Sequence, residues 1–192
     1  ARLGDALREV EQDKSCSPWI VAAIRLLTLT GARLNEILTL RWEHVSEEHQ
    51  CLMLPDSKTG RKAIHLNAPA LALLQTIPRL EGNPYVICGE KAGQHLVNLE
   101  KPWRRIRKAA KLEDVRLHDL RHSFASVAAS GGQSLVVIGK MLGHSQPATT
   151  ARYAHLADDP VKAASDEVGR HIAAAMDGRT SELIEFSRRR GK

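Results

Sequence analysis

Apolar positions in the first part of the chain recur at helical spacing and stop at recognisable breakers. Leu3, Leu7 and Val10 share one face of a short first helix. Ser17 and Pro18 open a second, the serine as a cap and the proline in the first turn, where its missing N–H costs nothing. Ile20, Ala23, Ile24 and Leu27 follow at core spacing until Gly31 ends the run. A third helix is predicted from Arg33 to about Leu40. The period then changes: Cys51-Leu52-Met53-Leu54 and Ala63-Ile64-His65-Leu66 flank a Pro-Asp-Ser-Lys-Thr-Gly turn, which reads as a β-hairpin. Helical spacing returns near Pro69, over Val97 to Lys111, from His118 to about Ala129, from Ser134 to Leu142 and from Pro147 onward. No internal repeat is evident. The predicted fold is mainly α with a small antiparallel β-sheet.

Composition narrows the class. At 192 residues and 43% hydrophobic, the chain can bury a core, and one domain is the natural count. The apolar stretch from Trp19 to Leu29 is interrupted by Arg25 and is too short to span a bilayer. No secretory or lipidation signal stands at the N-terminus, and the absent initiator Met suggests a piece of a longer protein. Cys16, Cys51 and Cys88 are widely spaced and form no CxxC, so they read as buried small hydrophobes in a reducing, cytoplasmic compartment. The net charge of +6 favours a polyanionic partner.

The candidate chemistry lies in five fragments: Thr30-Gly31-Ala32-Arg33-Leu34-Asn35-Glu36, Ser57-Lys58-Thr59-Gly60, His118-Asp119-Leu120-Arg121-His122, Leu142-Gly143-His144-Ser145 and Arg152-Tyr153-Ala154-His155. Cutting a phosphodiester by transesterification needs a nucleophile, a proton acceptor, charge neutralisation at phosphate and an acid for the leaving oxygen. A tyrosine with a pKa near 10 pays about 4 kcal/mol to ionise at pH 7, and cationic neighbours are the usual means of lowering that cost. A guanidinium offers paired N–H donors to phosphate, as an ammonium cannot. His118 and Arg121, three apart, share one helical face, as do Arg33 and Glu36.

In order and spacing these fragments resemble the catalytic domain of the tyrosine recombinases, the family of phage integrases and related site-specific DNA recombinases. The resemblance runs from about Leu3 to His155. It implies Tyr153 as the nucleophile that attacks the scissile phosphate, with Tyr85 left to an ordinary core or surface role. It implies Arg33 and Arg121 as clamps on the non-bridging oxygens, and Glu36 as the acidic residue that buttresses the site. His118 would assist proton transfer by taking the tyrosine proton, and His144 would donate a hydrogen bond to phosphate. Lys58, at the hairpin tip, would protonate the leaving 5′ oxygen.

His118 and His122 also stand at the i, i+4 spacing that binds zinc in metalloproteases, but the residue after the first histidine is Asp119, not the glutamate such a motif needs. No cofactor and no metal is expected, and His122 is expected to pack or hydrogen-bond behind the site. On the helix around Pro102 to Lys108, Trp103, Ile106 and Ala110 share one side. Its cations Arg104, Arg105, Arg107 and Lys108 are candidates for docking on DNA phosphates. The resemblance implies double-stranded DNA as partner and a homo-oligomer, a tetramer, on that DNA. Segments after the tyrosine often pack on a neighbouring protomer in this family, and Asp158 to Phe186 looks helical enough to do so. The last residues, from about 177 and most visibly Ser187 to Lys192, read as a basic tail, and the family's N-terminal DNA-binding domain has no room in the sequence. A type IB topoisomerase-like enzyme, a catalytically inactive DNA-binding relative and a zinc-dependent hydrolase are the alternatives.

Overall fold

A computed structural model describes residues 1–57, 60–144, 146–156 and 158–176. Three helices lead: α1 (Arg2–Gln12), α2 (Pro18–Thr30) and the short α3 (Leu34–Leu38). A 3-10 turn at Trp42–His44 precedes β1 (Val45–Ser46), β2 (Cys51–Ser57) and β3 (Gly60–His65), an antiparallel sheet in that order. Then come α4 (Ala68–Thr76), α5 (Glu100–Ala109), α6 (Leu117–Ser130), α7 (Leu135–Leu142), α8 (Ala148–Ala151), a 3-10 turn at Ala154–Leu156 and α9 (Asp158–Met176). The mainly helical fold with a small antiparallel sheet is the one the sequence predicts. β1 is additional, pairing Val45 with Leu52 and Ser46 with Cys51.

The centre of the molecule is α2, whose Val21, Ala23, Ile24, Leu26 and Leu27 are buried and which packs against α1, α3, α4 and α6. It ends because Gly31 adopts φ +62, a left-handed conformation that glycine takes at little cost. A Cβ there would also lie 2.6 Å from Phe124, so only glycine lets α6 come this close. α5 docks on α1 through fully buried Trp103 and Ile106, with Ala110 nearly so, the stripe expected from their spacing.

A second, smaller core joins Ala125 and Ala129 of α6, Ile138 and Leu142 of α7, and Tyr153. This cluster breaks the helix expected to run on from Pro147. Thr150 and Tyr153 are pulled inward, and the chain folds as α8, a 3-10 turn and only then α9. The third predicted helix is likewise shortened at its C-terminal end, from about Leu40 to Leu38, because Leu40 turns into the core and its carbonyl bonds the Val86 N–H. The helix predicted from Val97 starts at Glu100, whose N–H is accepted by the Asn98 side chain. The tail from residue 177 onward lies outside the described residues.

Candidate active site

Arg121 organises the site. It is buried on α6, where an unpaired charge is costly, and its guanidinium donates to two backbone carbonyls. One is Gly31 O at 2.6 Å, at the end of α2, and the other is Leu142 O at 2.7 Å, at the end of α7. Both are carbonyls that helix ends leave without intrahelical partners, and both carry the partial negative charge of a helix C-terminus. Two residues beyond Gly31 stands Arg33, two beyond Leu142 stands His144, and next to Arg121 itself stands His122, which holds Tyr153. One side chain thus pins together segments about a hundred residues apart. Burial and then Arg33 hold the Arg121 pKa below its ordinary value. A guanidinium has five N–H donors, so those not spent on the carbonyls remain for a ligand.

Arg33 caps α3 and is half exposed. Its backbone N–H donates to Glu36 at 2.8 Å and its guanidinium to the same carboxylate at 2.9 Å. Glu36 in turn accepts both contacts of the Lys62 ammonium, at 2.8 and 2.9 Å. Burial pushes the Glu36 carboxyl up, but the hydrogen bonds from Lys62 and the Arg33 backbone outweigh it and hold it ionised below its usual range. Burial likewise depresses Lys62, against the pull of Glu36. Lys62 was not among the expected site residues. It stands two before Ile64 and four before Leu66, on the inward face of β3, and an ammonium in an inward alternation is the signal that could have found it. Gly143, at φ +64, makes room for this lysine: a Cβ there would lie 2.5 Å from its Cε. Lys58 lies outside the described residues.

His144 follows Gly143, with its N–H on Gly139 O and its Nδ1 2.9 Å from the Thr150 hydroxyl. Burial, then Arg121 and Arg33, lowers its pKa to about 4, so the ring is neutral at pH 7. Thr150 is buried, and its hydroxyl proton needs an acceptor. If Thr150 donates to Nδ1, both groups are satisfied and Nε2 keeps its N–H for a ligand.

Tyr153 is buried, its ring in the small core and its hydroxyl 2.5 Å from His122 Nδ1. Burial raises the phenol pKa, and Arg152 and Arg121 only partly offset it, so the net effect is opposite to the lowering expected of cationic neighbours. Tyr85 sits elsewhere, half-buried between Arg41 and His95. His118 is exposed at the start of α6, its ring edge-on to His122 at 4.7 Å between centroids. Asp119 caps α6 by accepting the Arg116 N–H at 2.8 Å. Among the described residues, no group of three or more His, Cys, Asp or Glu could hold a metal ion.

A cleft of about 620 Å³ opens beside Arg121 and is also lined by Glu100, Arg107, Arg116 and His118. An apolar hollow of the same volume between α1, α2 and α4 holds none of these residues. Of the four cations expected to dock on DNA, Arg107 faces the cleft and also donates to Val115 O at 2.8 Å. Arg105 is turned away to Ser15 O and Cys16 Sγ, where it braces the α1–α2 turn. Arg104 and Lys108 are exposed.

Comparison with known proteins gives this fold a class. The chain belongs to the phage integrase family, whose profile matches residues 3–159. It is 33% identical over 132 residues to a shufflon-specific DNA recombinase of Escherichia coli, a match covering 66% of this chain and 32% of that protein. It is 30% identical over 143 residues to tyrosine recombinase XerA of Saccharolobus solfataricus, covering 72% of this chain and 46% of that protein. Among solved structures, the catalytic domain of bacteriophage HP1 integrase is similar in fold, with a TM-score of 0.64 at 24% identity, covering 86% of this chain and 90% of that one. The chain therefore spans less than half the length of these two curated relatives.

Proposed function

We propose that this chain is the catalytic domain of a site-specific DNA recombinase that cleaves and rejoins strands through a 3′-phosphotyrosyl intermediate. The observation that carries the reading is the convergence on Arg121 of the segments bearing Arg33, His144 and Tyr153. Arg33 and Arg121 would grip the non-bridging oxygens, and the neutral His144 would add a third donor, so charge developing on phosphorus meets preorganised N–H groups. The Tyr153 oxygen attacks phosphorus, the P–O5′ bond breaks, and Lys58 protonates the departing oxygen. Rejoining reverses these steps. The phosphotyrosine conserves the energy of the broken bond, so the chemistry calls for neither ATP nor a metal.

Double-stranded DNA is the partner this chemistry requires, and the cleft lined by Arg107, Arg116 and Arg121 suits its phosphates. The working unit would be a homo-oligomer on DNA, a tetramer, in the cytoplasm and on the nucleoid. In support, Val161, Val168, Ile172 and Met176 of α9 are all exposed, an apolar face that a neighbouring protomer could cover. The solved relatives include a lambda integrase dimer bound to a core site. A nicked suicide duplex tests the reading, because the released fragment diffuses away and traps any covalent adduct. An adduct mapping to Tyr153 is expected, absent from Tyr153→Phe. An adduct on Tyr85, or none with the unaltered chain, would overturn the assignment.

A further inference from the structure

The phenol of Tyr153 meets one ring nitrogen. His122 Nδ1 lies 2.5 Å from the Tyr153 oxygen, and no other hydrogen-bond partner of that oxygen occurs among the described residues. The two rings are 6.1 Å apart between centroids and tilted by 48°, so the contact is edge to hydroxyl and not a stack. Both ends are anchored. His122 rides on α6 beside Arg121, which two helix ends hold, and the Tyr153 ring is packed among Ala125, Ala129, Ile138 and Leu142. His118 is exposed, and its ring lies edge-on to His122.

We propose that His122 is a catalytic residue, the group that takes the proton from Tyr153 as the phenol attacks phosphate and returns it when the strand is rejoined. The proposal rests on the recombinase reading above. The O–H bond of Tyr153 breaks and its proton goes to the Nδ1 lone pair. The freed oxygen pair forms the bond to phosphorus, and the electrons of the P–O5′ bond leave with O5′, which gains its proton from the acid. On rejoining, the imidazolium gives its proton back to the departing phenolate.

The surroundings suit that role. The charged and titratable groups facing His122 are His118, Asp119 and Arg121 on its own helix, and Arg152 and Tyr153 on the segment packed against it. Burial, then His118 and Arg152, hold the ring below its ordinary pKa, so it is neutral with a lone pair free near pH 7. Burial keeps the phenol protonated, so an acceptor is needed at the moment of attack. A weakly basic acceptor also releases the proton readily, as a step that must run in both directions requires.

The test is single-turnover cleavage of the nicked duplex by the full chain. His122→Ala should slow adduct formation by about a hundredfold to ten-thousandfold, the usual contribution of a general base. His122→Asn presents an amide oxygen near the place of Nδ1 and can hold the phenol, but it cannot take a proton. It should remain slow, and it carries the test if the alanine variant fails to fold by circular dichroism. A fluorinated tyrosine at 153, ionised near neutral pH, removes the need for a base, so the His122→Asn defect should shrink to a few-fold. The unaltered chain should lose rate as pH falls and His122 protonates, and the asparagine variant should lose that inflection. Wild-type rates in His122→Asn would leave the histidine a positioning role and overturn the proposal, as would a defect that the fluorinated tyrosine fails to relieve. Rescue of His118→Ala instead would move the role to His118. If the unaltered chain forms no adduct with either tyrosine, the recombinase reading itself fails.

Discussion

Replacing Lys62 with methionine should destabilise the chain by an amount that depends on pH. The side chains of Lys62 and Glu36 are only 8% and 12% exposed, so their ion pair is desolvated and Lys62→Met leaves a buried carboxylate with Arg33 as its remaining partner. Removing one partner of a buried pair costs about 3–5 kcal/mol. The variant has an escape, because Glu36 can protonate. Lifting a carboxyl from about 4.3 to 7 costs about 3.7 kcal/mol at pH 7, which caps the charge penalty, and the same ceiling at pH 5 is about 1 kcal/mol. Glu36 also keeps the Arg33 backbone N–H at 2.8 Å and the Arg33 guanidinium at 2.9 Å, so about 3 kcal/mol, the low end of that range, is expected at neutral pH. The sign follows from linkage. In the unaltered chain the Glu36 pKa is depressed, so its stabilisation is present above the ordinary carboxyl pKa and is lost as pH falls through the folded value. In the variant burial acts unopposed by Lys62, the pKa rises, and the penalty fades as pH falls. Urea unfolding at pH 5, 6 and 7 should therefore show the gap between the two proteins widening from about 1 to about 3 kcal/mol. Adding Glu36→Gln should recover most of the loss at pH 7. A gap below 1 kcal/mol at pH 7, or one unchanged at pH 5, would refute the reasoning.

Arg33→Lys and Arg121→Lys should each slow cleavage of the nicked duplex by roughly a hundredfold, through lost donors to the transition state. Stability should separate them: Arg121 makes two buried charged hydrogen bonds, each worth about 1.5–3 kcal/mol, and a lysine cannot span both carbonyls. Arg33 is half exposed in its pair with Glu36, and Arg33→Lys keeps the charge, so it should cost under about 1 kcal/mol; equal melting points for the two variants would remove Arg121 from its organising place. For Lys58, an acid for the 5′ oxygen, Lys58→Ala should cleave ordinary DNA slowly but a substrate with sulfur at the bridging position nearly normally. Equal defects on both substrates, relieved by low salt, would make it a phosphate contact.

Much of this protein is local in origin. The buried stripe of α5, the glycine stop of α2 and the alternation across β2 and β3 follow from spacing and backbone conformation, which the sequence carries directly. The inventory of candidate chemistry is also in the sequence, because Arg33, His118, Arg121, His144 and Tyr153 stand in motifs that resemble those of a known family. What sequence could not supply is which groups meet. The break after α8 depends on a small core that α6 and α7 supply, so helical spacing alone ran through it. Arg105 looked like its neighbours on a basic helix, yet a turn 89 residues away claims it. His118 and His122 share a helical face, so spacing could not choose between them; only the docking of the Tyr153 segment decides which ring receives the phenol. Lys62 and Glu36, 26 residues apart, become a buried pair because a glycine at the end of α7 admits the lysine. Local propensities and motifs fix elements and candidate groups, but burial and pairing are properties of the packed chain, and they are what shift Glu36, Lys62, His144 and Tyr153 from their ordinary pKa values.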